Sequence, residues 1–465
     1  MTLQINMNPG SSANGGVGVG VMTSAGNPWT VADALAQTLV NQGRASPLNW
    51  PAEVPGLTSA EILAFRTSVS GAWNARLDFL GAEYRRGLVS GNPRTLAQLT
   101  TSAVAFGGTP TAGQLGYANS SIVTTGYLTY DITAGATGGS VAPFRISGAQ
   151  AYRGGTPVQG SSYYSSGGTR HGAIWKMGIW TNAPEPVFSL IGYSGSYYVQ
   201  VDGQRAASVL AASASGGYQD LSVNLRGLTA GWHLVEFLFQ QDETIAGIKL
   251  AKQYQLLTPQ PRPPLLMIGD SLTGSAPDGR SVDCFAQVMA DWLGADLWNL
   301  GFGGSGYEVP GSGGETFRSR IPLIAATYTD SPAVVVYAGG RNDTNSGTLQ
   351  AEVAATVTAG KAQWPLARHV VFGPWSQNNP AAQAQDILKE AKIKAAAAAA
   401  GALFVPVMTD PTGVWITGTG AIDGLTGDGT ADTLFKVADA THWAIAGHAI
   451  IGRKAAFAAA GVLGL

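Results

Sequence analysis

The hydrophobic rhythm of the chain changes twice. Between residues 121 and 260, short runs rich in β-branched and aromatic residues mix apolar and polar positions: SIVTTGYLTYDI, HGAIWKMGIW, VFSLIGYSG, SYYVQVDGQ, QDLSVNL and HLVEFLFQ. Gly, Pro, Asn or Asp stands near many of their ends, as turns require. In SYYVQVDGQ, Tyr198, Gln200 and Asp202 fall on one face and Val199, Val201 and Gly203 on the other. Alternation of this kind predicts a β-sandwich with one face of each sheet turned inward. From residue 265 the strand candidates are apolar almost throughout: LLMIG (265–269), DLWNLG (296–301), AVVVYAG (333–339), HVVFGP (369–374) and ALFVPVM (402–408). Helical patterns lie between them, notably AQAQDILKEAKIKAAAAAA and the terminal AIAGHAIIGRKAAFAAAG. Apolar strands separated by helices predict an α/β domain with a parallel sheet covered on both faces. The proline-rich QLLTPQPRPP, 255–264, reads as a stiff connector between the two.

The first 120 residues follow neither pattern. SSANGGVGVG is flexible by composition. PWTVADALAQTLVNQG predicts a short helix, with Pro28 and Thr30 near its start and Gly43 after it. A second helix is expected from Ser59 to about Leu88, where Ile62, Leu63, Phe65, Val69, Trp73, Leu77 and Leu80 recur at three- and four-residue spacing. The expected organisation is a partly helical region at 1–120, serving attachment or oligomerisation or else capping the next domain, a β-sandwich at 121–260 and an α/β domain at 261–465.

Composition narrows the partners. Only 12% of the 465 residues are charged, against about 25% in an ordinary soluble domain, and 63 are Gly. The 27 basic and 29 acidic residues nearly balance, and no basic tract stands out, so a nucleic-acid partner is not expected. Cys284 is the only cysteine, which excludes an intrachain disulfide. The N-terminus lacks the basic start and apolar run of a signal peptide, and no segment is long and apolar enough to span a membrane. A soluble protein is expected, virion-associated or else cytoplasmic. With 5 His residues and no spacing such as H-E-x-x-H, neither a metal site nor a cofactor is expected.

Four polar clusters carry the candidate chemistry, three at the ends of predicted strands and one before the last helix. Ligands of open parallel sheets bind beyond the carboxyl ends of the strands. The first cluster is Gly269-Asp270-Ser271-Leu272. Its serine could be a nucleophile exposed on a strand-to-helix turn, or simply part of a helix cap, a position that Asp and Ser both favour. The second, NLGFGGSG (299–306), has the spacing G-x-G-x-x-G of a dinucleotide fingerprint. Its context is wrong for one, because it follows the second strand and Tyr307-Glu308-Val309-Pro310 makes a poor helix start. The same glycines could present backbone N–H groups to an oxyanion. The third, GGRND (339–343), offers the neutral amide donor of Asn342, or is an ordinary turn. The fourth, DATHWAIAGH (439–448), places Asp439 three residues before His442, so a carboxylate can fix the tautomer of an imidazole. Together they supply one chemistry. Ser271 attacks a carbonyl, His442 takes its proton, Asp439 orients His442, and the N–H of Ser271, a glycine N–H near 304 and Asn342 hold the oxyanion. The G-x-S-x-G elbow of α/β-hydrolases is absent.

At these residues the chain resembles the SGNH (GDSL) hydrolase family. Gly269-Asp270-Ser271-Leu272 matches its first block, NLGFGG its glycine block most closely through Gly304, Gly340-Arg341-Asn342-Asp343 its G-x-N-D block, and Asp439 with His442 its closing D-x-x-H block. Pro often follows the family's histidine; here Trp443 does. The resemblance covers about residues 263–460. It implies a flavodoxin-like three-layer α/β/α domain and the activity of an esterase, lipase or carbohydrate deacetylase. SYYVQVDGQRA followed by LTAGWHLVEFLF resembles the jelly-roll-like β-sandwich that precedes the SGNH domain in some carbohydrate esterases. The glycine-rich, weakly charged N-terminal region is somewhat similar to a bacteriophage tail or fibre component, which implies a homo-oligomer or a virion tail part.

A sandwich beside the site favours a large substrate, and exposed aromatics among Tyr152, Tyr163, Tyr164, Tyr193, Tyr197 and Tyr198 could stack on sugars, the alternative being that half or more of them pack the core. The expected reaction is O-deacetylation of a polysaccharide. The alternatives are a general short-chain carboxylesterase acting on small esters, and a structural or carbohydrate-binding virion protein with a vestigial site. The segment 410–436 is rich in Gly and Asp and forms no clear calcium loop.

Overall fold

In the computed structural model, the described residues are scattered strands between 2 and 158 and, with breaks, the chain from 174 to 464; the longest of these breaks is 416–440. Near the N-terminus, Thr2–Met7 pairs antiparallel with Pro28–Ala32 and Ala45–Pro47. The helix expected to begin at Pro28 is thus replaced at its start by a strand. Trp29, Thr30 and Val31 are β-formers, and their pairing with Leu3–Ile5 prevails over the capping signal. The helix expected at 59–88 lies outside the described residues.

Two antiparallel sheets follow. One has the order Gly116–Asn119, Tyr218–Asn224, Val187–Ile191, Thr244–Ala251, Tyr127–Asp131. The other runs Gln204–Arg205, Ser196–Val201, His233–Gln240, Ile174–Thr181, Leu256–Leu257. Alternate residues of both sheets enter one apolar core: Phe188, Leu221, Val223, Ile248 and Leu250 from the first, and Trp175, Met177, Val199, Val201, Phe237 and Phe239 from the second. This is the sandwich that the alternation predicts, and its rings stack in register, with Trp175 4.3 Å from Phe239.

The α/β half is a parallel sheet of five strands: β1 (Pro264–Gly269), β2 (Asp296–Gly301), β3 (Val334–Ala338), β4 (Arg368–Phe372) and β5 (Leu403–Val405). Their spatial order is β2-β1-β3-β4-β5, the flavodoxin-like order. A short α1 (Ser271–Gly274) follows β1 and leads to α2 (Phe285–Leu293). The other helices are α3 (Phe317–Thr327), α4 (Leu349–Gln363), α5 (Pro380–Ala399) and α6 (Ile445–Leu463). Strand residues alternate between two cores. Leu265, Met267, Val334 and Val336 meet Phe285 and Met289 of α2 and Ile451 and Ala455 of α6. Leu266, Ile268, Val335 and Tyr337 meet Phe317 and Ile321 of α3, Leu349 and Val353 of α4 and Ile393 of α5. Strands covered on both sides need apolar residues at every position, which is why their sequences show no alternation. Each fully buried aliphatic side chain contributes about 1.5–3 kcal/mol over an exposed one.

The sandwich and the α/β half share an interface. On the face of Ser196–Val201 turned away from the sandwich core, Tyr198 and Gln200 are buried as well. The Tyr198 hydroxyl donates to Asp283 at 2.8 Å, and Gln200 Nε2 donates to Asp291 at 3.4 Å. Lys176 pairs with Asp291 at 3.2 Å, and Arg262 with the fully buried Glu236 at 2.7 Å. Polar residues on this face are paired, which lets it be buried at all. No helix among the described residues is long and apolar enough to cross a membrane.

Candidate active site

Three strand ends build the site from below. At the end of β1, Asp270 is the cap: its Oδ1 accepts the N–H of Leu272 at 2.9 Å. Ser271 is left half-buried at the first position of α1. The choice between cap and candidate nucleophile is therefore divided between neighbours. Gly269 must be glycine, because a Cβ there would strike the Thr273 side chain and the Ala338 carbonyl. Burial pushes the Asp270 carboxyl up to about 6.

His442 arrives from the other end of the chain, and its Nε2 lies 2.9 Å from Ser271 Oγ. That is hydrogen-bond distance, as a nucleophile and its base require. Trp443, the next residue, is fully buried and anchors the histidine. Its ring stands edge-on to Phe285 at 5.5 Å, to Trp375 at 5.2 Å and to His448 at 5.3 Å. His448 is itself buried in α6, where Nδ1 accepts the Phe285 N–H at 3.0 Å, and burial pushes its pKa down to about 3. It is a neutral core residue.

Beyond β2 the chain turns through Gly304, at φ +74°, a conformation that favours glycine. Ser305 follows, buried, with its Oγ donating to the Phe302 carbonyl at 2.7 Å. Its carbonyl accepts Asn342 Nδ2 at 2.9 Å, which ties the end of β3 to the end of β2. The amide of Asn342 carries two hydrogens, so one remains after this bond. Asp343 accepts the N–H groups of Tyr307 at 2.9 Å, Glu308 at 2.8 Å and Val309 at 3.2 Å, and so fixes the loop beyond. From α5, the buried Lys389 donates to the carbonyls of Gly340 at 3.0 Å and Asp343 at 3.1 Å. From β2, Asn299 Nδ2 donates to the Thr273 carbonyl at 2.9 Å, while its Oδ1 accepts the Gly301 N–H at 2.9 Å. From α3, Arg320 reaches the carbonyls of Gly269 and Leu300.

Ser271, Gly304, Asn342 and His442, read as candidates from sequence, therefore all lie at or beside the carboxyl ends of β1–β3, around the strand β1 where the chain order reverses. Asp439 lies outside the described residues. Two of the tyrosines are buried instead of exposed to a sugar: Tyr197 belongs to the sandwich core and Tyr198 to the interface. The side chains of Tyr152, Tyr163, Tyr164 and Tyr193 are outside the described residues. Sequence reasoning missed Asn299, Arg320 and Lys389. Arg320 had a signal, because it lies three residues after Phe317, on the stripe that Ile321 and Ile324 continue.

Among solved structures, a salicylyl-acyltransferase, SsfX3, from a tetracycline biosynthetic pathway is similar at 17% identity and a TM-score of 0.52, over 72% of this chain and 97% of that one. A family two carbohydrate esterase from Cellvibrio japonicus is similar at 12% identity and a TM-score of 0.50, over 73% and 98%. The chain has the SGNH-hydrolase fold. No family model and no curated protein matches its sequence. In this SGNH fold the polar side chains above occupy one end of the sheet, and the apolar cores fill the rest.

Proposed function

We propose that the protein is a serine esterase that removes acyl groups, foremost O-acetyl groups, from a polysaccharide through an acyl-enzyme. The observation that carries this reading is the 2.9 Å approach of His442 Nε2 to Ser271 Oγ beside Gly304 and Asn342. With the imidazole proton on Nδ1, Nε2 accepts the hydroxyl hydrogen, and Nδ1 is left for Asp439. Ser271 Oγ attacks the acyl carbon as its proton passes to His442. The negative charge on the former carbonyl oxygen is taken by the N–H groups of Ser271 and Gly304 and by the second amide hydrogen of Asn342. Collapse expels the sugar hydroxyl, which takes the proton from His442. Water, deprotonated by His442, then attacks the acyl-enzyme and releases acetate.

Two features support a carbohydrate ester. The fold likeness to a family two carbohydrate esterase extends over 98% of that chain, and the sandwich is packed against the catalytic half. A small ester cleaved by a general short-chain carboxylesterase would use the same residues. The likeness to an acyltransferase favours a second reading, in which an acceptor alcohol replaces water.

Acetate release from a panel of acetylated glycans, beside p-nitrophenyl esters of increasing chain length, tests the proposal. Glycan deacetylation that vanishes in Ser271→Ala is the expected result. Activity only on small esters selects the carboxylesterase, and transfer to an added alcohol without acid release selects the acyltransferase. Full activity in Ser271→Ala overturns all three.

A further inference from the structure

Arg320 is a charged residue with no exposed surface. It stands on α3, under the strand ends, with its guanidinium carbon 5.0 Å from the centre of the Phe317 ring and 5.9 Å from that of Phe302. No carboxylate among the described residues pairs with it; its partners are neutral oxygens. Nη1 donates to the Leu300 carbonyl at 2.6 Å, and Nη2 donates to the Gly269 carbonyl at 2.9 Å and to Ser305 Oγ at 3.2 Å. A buried cation without a counter-ion is costly, and a fold retains one where its hydrogen bonds do something that apolar packing cannot.

The three acceptors share one property. Gly269 lies two residues before Ser271, Leu300 lies four before Gly304, and Ser305 presents the carbonyl that holds Asn342. One planar fork thus bridges the segments that carry all three proposed oxyanion donors. We infer that Arg320 is the positioning residue of the oxyanion hole, setting the spacing of the Ser271, Gly304 and Asn342 donors relative to one another. The inference rests on the esterase reading above and adds a residue that touches no substrate. Lysine cannot replace it, because one ammonium on a flexible stem does not reproduce a rigid fork across three acceptors. Donors aimed at the charge of the transition state lose much of their effect when displaced by about 1 Å, with a rate cost of roughly 10²-fold.

The test uses the full chain. Arg320→Met and Arg320→Lys are assayed on a small acetyl ester, with active sites counted by the end point of fluorophosphonate labelling. We expect turnover per titrated site to fall by about 10- to 100-fold while KM changes less than about 3-fold, and affinity for a trifluoromethyl ketone, which forms a tetrahedral adduct, to fall in parallel. Arg320→Ala should regain part of the lost turnover when methylguanidinium is added. A merely structural residue would lower the number of titratable sites and leave turnover per site unchanged, and that result overturns the inference. Should the buried substitutions fail to fold, Ser305→Ala cuts one of the three bonds with Arg320 in place. A drop in turnover per site with KM retained supports the inference, and parental turnover overturns it. A parent that depends on Ser271 beside silent Arg320 variants removes this inference alone; hydrolysis that survives Ser271→Ala removes the esterase reading with it.

Discussion

The two sides of the candidate site show different contacts among the described residues. On the side of Ser271 and Asn342, buried polar side chains bond to backbone. Asn299 takes the Thr273 carbonyl, Asp343 three successive amides, Lys389 the carbonyls of Gly340 and Asp343, and Arg320 those of Gly269 and Leu300. On the side of His442, the neighbouring Trp443 is wedged among Phe285, Trp375 and His448. Hydrogen bonds fix direction within tenths of an ångström, and donors to a developing charge need that. Ring packing fixes where a residue sits but tolerates small rotations. A base of the kind proposed for His442, which takes a proton from one oxygen and returns it to another, would benefit from such tolerance.

This contrast can be broken in four places. Ser271→Ala should lower acetyl-ester hydrolysis by roughly 10⁴- to 10⁶-fold, as loss of a nucleophile does elsewhere, with unchanged thermal stability. A variant within tenfold of the parent in a kinetic assay would remove the contrast altogether. Trp443→Ala should cost about 3–5 kcal/mol of stability, the range for large-to-small changes at buried aromatics. Chemical denaturation measures this; a loss under about 1 kcal/mol would mean that packing is not what anchors His442. Asn342→Ala should lower kcat about 10²- to 10³-fold with KM nearly constant, because its second amide hydrogen is proposed to meet charge present only in the transition state. A rise in KM with kcat retained would make Asn342 a ground-state contact.

The smallest effect concerns pH. His448 is pushed from its ordinary 6.5 down to about 3 by burial, so between those values the unfolded chain binds a proton that the folded chain does not. Stability from this group is complete above pH 6.5 and is lost as pH falls toward 3, by about 1.4 kcal/mol per unit. Asp270 works the other way. It is raised from 3.8 to about 6 by burial, so its folded form holds the extra proton in that window and gains stability as pH falls. His448→Gln leaves an acceptor for the Phe285 N–H and removes only the first effect. Its advantage over the parent should grow on acidification, reaching about 3 kcal/mol at pH 4 relative to neutral pH. Parallel stability curves from pH 7 to 4 would show that His448 takes up its proton in the folded state.

Sequence alone determined the class of the two regions after residue 120 and picked out the residues that meet at the candidate site. Continuous apolar strands with helices between them point to a buried parallel sheet, and the partial alternation in 121–260 points to a sandwich. The residues at the strand ends were legible because nothing apolar explains a Gly-Asp-Ser-Leu or a Gly-Arg-Asn-Asp after a buried strand. Other features depended on which surfaces meet. Tyr198, Gln200 and Lys176 have the alternation of a solvent-facing side, and only the approach of Asp283 and of Asp291 on α2 makes that side an interface. Lys389 sits in a helix where its sequence sets it apart from no other polar residue, and its ammonium ends among loop carbonyls contributed from 46 and 49 residues away. The strand at Pro28–Ala32 was decided by its partner Thr2–Met7, against the local helix signal. Periodicity records which side of an element is polar. Whether that side meets water or another part of the chain is settled by contacts distant in sequence, and the tertiary structure alone supplies them.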